Sequence, residues 1–198
     1  MFQLIPCTFG RWSLGLGDPH FVGWATVVVY FIAAVACALV AMRGAFPASS
    51  HSRERMFWST AATFLLLLAI NKQLDLQSLL TALGRCVAVE QGWYDVRGVV
   101  QRRFVTALLL GGVAALVGIG LLMRGTLART SLAIIGLAFV GVFVGVRAIS
   151  FHQVDALINS RALGLRWNWL LELPGPLLVL TAALQAWSTD HPDASKNT

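Results

Sequence analysis

From Phe21 to Met42 the chain runs for 22 residues without a charged, Asn or Gln side chain. At ~1.5 Å per residue that run is ~33 Å long, enough to cross the ~30 Å hydrocarbon layer of a bilayer. Four further apolar runs follow it. The chain is therefore expected to be a bundle of membrane helices, because only a helix or a closed barrel satisfies its own backbone in lipid. Composition points the same way: 57% hydrophobic and 12% charged residues, with a mean hydropathy of +0.72, lie outside the range of soluble domains. The net charge of +6 would suit nucleic acid, but the arginines stand at the ends of apolar runs, where they meet lipid headgroups. We read no nucleic-acid partner, and membrane lipids instead.

The expected fold is all-α, a polytopic bundle of about five transmembrane helices near 21–42, 56–84, 93–123, 130–158 and 167–187, followed by a polar disordered tail over 188–198. Asp18-Pro19 reads as the start of the first helix, with the acid as N-cap and proline at the first helical position. RGAFPASSHSRER is a loop whose Arg43, Arg53 and Arg55 touch headgroups. The second helix has no breaker at Ile70 and is expected to run on past the bilayer. A turn at Gln91-Gly92 then leads into an amphipathic stretch bearing Trp93, Val96, Val100 and Phe104, so that 76–103 forms a protruding hairpin. Gly111, Ala115 and Gly118, with Gly141 and Gly145, have the small-residue spacing of a tight helix pair. Pro174 and Pro176 are expected to kink or break the last helix.

Polar residues converge at one level. In AINKQLDLQS, from Ala69 to Ser78, an apolar helix acquires Asn71, Lys72, Gln73, Asp75 and Gln77. Five spans put this stretch on the same side, here called side A, as RAISFHQVD and LELPGP; side B is the opposite side. Measured from side B at 1.5 Å per residue, Asn71 lies ~22 Å deep, Arg147 ~25 Å and Glu172 ~22 Å. Ionisable groups at such depth mark a site or pair with one another.

In the site reading, Asp75, His152 and Asp155 are the catalytic candidates, acting as acid and base or as ligands to a divalent metal. Asn71, Lys72, Arg147 and Glu172 then bind the ligand, the two cations holding an anionic group. In the pairing reading, Lys72 meets Asp75, Arg147 meets Glu172, and His152 bonds Asp155. A haem on His152 lacks a second placed histidine beyond His20. Tryptophans 12, 24, 93, 167 and 169 on side A, and Trp58 and Trp187 on side B, fit interfacial belts.

Cys7, Cys37 and Cys86 contain no C-x-x-C pair, which speaks against a zinc framework. The N-terminus lacks the basic and apolar regions of a cleaved signal peptide. The short basic loops on side B favour that side as cytoplasmic and side A as periplasmic. Cys7 and Cys86 then share an oxidising compartment and are able to pair.

INKQLDLQSLLTALGR, QGWYDVRGVVQ, RAISFHQVD and NWLLELPG together resemble an uncharacterised family of small bacterial polytopic integral membrane proteins. The resemblance covers most of Met56 to Leu180 and implies a bacterial inner-membrane protein, without an activity or cofactor. Three functions are compatible with the residues. The first is a polar ligand or metal site at the membrane interface, acting on an amphiphilic or lipid-like substrate. The second is an accessory subunit that docks a protein partner on the 76–103 hairpin. A small oligomeric transporter is the third.

Overall fold

The computed structural model describes residues 4–12, 21–74, 76–92, 94, 97–149, 161–162, 165–166 and 171–190. Seven helices are described: α1 (Leu4–Arg11), α2 (Phe21–Arg43), α3 (His51–Leu74), α4 (Leu76–Glu90), α5 (Arg97–Leu122), α6 (Leu127–Ile149) and α7 (Pro174–Asp190). A short antiparallel ladder pairs β1 (Arg161–Ala162) with β2 (Leu165–Arg166). By length and composition α2, α5 from Gly98 and α6 as far as Val146 are able to cross a membrane. The 24-residue α3 carries charge at both ends, and α7 has 17 residues. The described helices are thus consistent with a membrane-spanning helical protein, a coarser architecture than five spans with a hairpin.

The core lies where α2 packs on α3 and α7, and where α7 packs on α6. Much of its lining is small, Ala33, Ala34, Cys37 and Ala41 from α2 with Ala61 and Ala69 from α3 and Ala182, Ala183 and Ala186 from α7, and Tyr30, Phe57, Trp58 and Leu65 fill the wider gaps. In lipid there is no hydrophobic gain from bringing helices together, so short side chains that let backbones approach supply the attraction. Helices α6 and α7 approach each other closely. A Cβ on Gly136 would stand 2.8 Å from the Gly175 carbonyl oxygen and 2.8 Å from Val179 Cγ2, and one on Gly175 would stand 2.5 Å from Val140 Cγ2.

That crossing corrects the glycine reading of the sequence. A Cβ on Gly111, Gly118, Gly141 or Gly145 would meet nothing within 4 Å, so these positions open outward instead of sealing α5 against α6. The break expected at the prolines is present, just ahead of them. Leu171 and Glu172 are helical, the chain bends at Leu173, and the Leu173 carbonyl accepts the Leu177 N–H as the first bond of α7. Pro174 and Pro176 therefore occupy the first turn, where an N–H has no intrahelical partner to lose, and they start a helix. At its other end α7 continues through Ser188 and Thr189 to Asp190, into the stretch expected to be disordered.

Outside the core, α1 lies against α4 and is tied to it by a Cys7–Cys86 disulfide, with Cα atoms 6.1 Å apart. Trp12, whose ring is edge-on to Phe9, and Trp58 are 8% and 0% exposed, so neither serves as an interfacial belt residue. The turn after α4 carries Gly92 at φ +72°, a backbone glycine adopts without a Cβ penalty.

Gly136→Ala is expected to destabilise the bundle by about 1–3 kcal/mol through overpacking. Gly145→Ala, opening onto free space, should be neutral or stabilising by up to about 1 kcal/mol. Unfolding of both variants in mixed micelles measures the contrast, and equal effects would contradict the close crossing.

Candidate functional site

Helix α3 positions two sets of buried polar groups, one at each end of a single face. Phe57, Trp58, Ala61, Leu65 and Ala69 recur at helical spacing and are buried, and extending the same spacing reaches Glu54 at one end and Lys72 at the other. Eighteen residues separate the two charges, ~27 Å along the axis. Each also complements the α3 macrodipole, the acid in the first turn and the base in the last.

At the side A end, Lys72 Nζ donates to Glu172 Oε2 at 2.5 Å, and the two side chains are 8% and 4% exposed. Glu172 comes just ahead of α7, where the helix N-terminus favours a negative charge. The pair joins α3 to the segment entering α7, 100 residues further along the chain. This differs from the pairs read in the sequence, Lys72 with Asp75 and Arg147 with Glu172. Lys72, read as one of two clamps for an anionic group, has a carboxylate against it.

The next residue, Gln73, has both its amide oxygen and its amide nitrogen buried with no hydrogen-bond partner. Each such atom costs ~1–3 kcal/mol while it stays unmet. Asn71 is half-buried beside it. Gln73 belongs to the polar stretch identified in the sequence yet was not assigned a role; its signal was a neutral amide inside an ionisable cluster. Asp75, His152 and Asp155 lie outside the described residues. Arg147 is part of α6, and its side chain lies outside them also. Among the described residues no three His, Cys, Asp or Glu side chains come together as a metal site requires.

The second polar set, at side B, was not foreseen. Glu54 is fully buried; its Oε1 accepts a 2.8 Å hydrogen bond from the Ser50 hydroxyl, and Oε2 stands 3.8 Å from Arg129 Nε. Oε2 itself and the buried Trp58 Nε1 have no hydrogen-bond partner. The Arg129 guanidinium also lies 5.9 Å above the Phe46 ring. Nearby, Arg53 donates to the Leu122 carbonyl at 3.2 Å, joining the start of α3 to the end of α5. Residues read as a headgroup loop thus form the first turn of α3 and the contacts that anchor it.

One face of α4, within the stretch assigned to a protein partner, is covered by α1 of the same chain. Val100 is exposed, and Trp93 and Val96 lie outside the described residues. No family model, curated protein or solved structure matches the chain.

Proposed function

We propose that the protein is a bacterial inner-membrane helical bundle that holds a polar head of an amphiphilic ligand at the side A interface, beside Lys72, Gln73 and Glu172. The observation that carries this reading is the Gln73 amide, buried with donor and acceptor both unmet next to an already neutralised charge pair. A ligand presenting a hydrogen-bond acceptor and a donor together, such as an amide or hydroxylated head, relieves both costs at once. A bare anion is a poorer match, because the Glu172 carboxylate offsets the charge of Lys72. Asn71, Asp75, Arg147, His152 and Asp155 complete the proposed site, with a divalent metal on Asp75, His152 and Asp155 as the form in which the site would do chemistry. The Cys7–Cys86 disulfide supports side A as the oxidising, periplasmic side.

The test is the set of amphiphiles and metals retained by protein purified in mild detergent. Wild type should hold a stoichiometric species that Gln73→Leu and His152→Ala lose while staying folded. Identical profiles, with Gln73→Leu simply more stable by about 1–3 kcal/mol, would leave the amide without a ligand and defeat the reading. Thiols blocked in intact cells and mapped without reductant should give a Cys7–Cys86 linked peptide; two free thiols would reverse the orientation.

A further inference from the structure

Helix α5 is the outlier of the bundle. Over Gly98–Leu122 none of the described side chains is buried; its main packing is against α6, with Ile119 half-buried against the core and Arg53 holding its far end. Along one face of its side A half, Val99, Arg102, Arg103, Thr106, Ala107 and Leu110 line an open cleft of about 410 Å³. The spacing is helical, so the two arginines stand at the mouth and the apolar residues continue toward the membrane centre. Both arginines are exposed, and among the described residues neither makes an ion pair or a hydrogen bond.

We propose that this cleft binds an anionic phospholipid, the phosphate on Arg102 and Arg103 and an acyl chain along Thr106, Ala107 and Leu110. Length supports the assignment. From Arg103 to Val113, itself 60% exposed, is ~15 Å along the helix, half of the ~30 Å hydrocarbon layer, so a lipid of one leaflet matches the distance between charge and bare apolar surface. Charge selects the headgroup. The α5 sequence has two guanidiniums in this cleft and no Asp or Glu from end to end, so a zwitterionic head finds no carboxylate on α5 for its ammonium, whereas a net-negative head needs none. The positive end of the α5 macrodipole lies on the same side. A second copy of the chain is a poorer occupant, since it would have to bury two adjacent guanidiniums against an identical pair. The proposal is independent of the reading at Gln73, which stands or falls on other residues.

Native mass spectrometry of the detergent-solubilised protein with equal amounts of phosphatidylglycerol and phosphatidylcholine tests this. Wild type should retain phosphatidylglycerol preferentially, by about fivefold for each arginine. Arg102→Gln/Arg103→Gln should lose the preference while keeping the disulfide and helix content, and Leu110→Asn should weaken retention of both lipids. Arg124→Gln, in the turn at the opposite end of α5, should keep it. The proposal is overturned by equal retention in wild type, by a preference that survives in the double variant, by its loss in Arg124→Gln, or by a dimer whose interface is broken by Ala107→Trp.

Discussion

Charge in a low-dielectric bundle has to be neutralised where it stands, and α3 meets that requirement at both of its ends. Glu54 is buried against Ser50 and Arg129, and Lys72 is buried against Glu172. Both charges are buried where they stand, so sliding or rotating α3 would separate each from its partner at a cost of several kcal/mol. Between the two lies an apolar face, Phe57, Trp58, Ala61, Leu65 and Ala69, with no charge of its own. The ion pairs supply an axial register for α3 relative to α6 on side B and to the entrance of α7 on side A.

With α3 placed, the remaining contacts follow from sterics. Gly136 and Gly175 let α6 and α7 approach to backbone contact, and this brings α7, and the Glu172 that precedes it, to the level of Lys72. The Leu173 bend has a related role. Because the two prolines occupy the first turn of α7, Glu172 stands just outside a new helix N-terminus instead of in the middle of a long helix. The candidate site is thus a junction, with Gln73 in the last turn of α3 beside a charge pair made across it. By contrast no described side chain of α5 is fully buried, and Ile119 alone of its residues is among those packed on the described core.

Much of this was legible in the residues, and the failures have physical reasons. The depth of Lys72 and Glu172 follows from counting 1.5 Å per residue along two apolar runs, and that arithmetic brought them to one level. Their pairing with each other did not follow, because depth says nothing about which neighbour a side chain faces. Glu54 was hidden among Arg53 and Arg55, in a segment whose charge looks like a solvated loop; its spacing of four and seven residues from Trp58 and Ala61 was the available signal. Glycine spacing along one chain shows that a helix can be approached closely, not that it is, so Gly111 and Gly118 misled while Gly175, inside Pro-Gly-Pro, was overlooked. Helix α1 had no expectation attached to it; its Pro6 falls in the first turn, where helices accept proline. Asp75, His152 and Asp155 lie outside the described residues, and their part in the site rests on the sequence.

The most direct measurement of the account is a double-mutant cycle on the side A pair, comparing Lys72→Met, Glu172→Met and the two together by reversible unfolding in mixed micelles. Each single change should cost about 3 kcal/mol, because it leaves one buried charge alone, while the double variant should return to within about 1 kcal/mol of wild type. Single variants that unfold like wild type, or costs that simply add in the double, would show that the two charges do not depend on each other and that something else sets the register of α3.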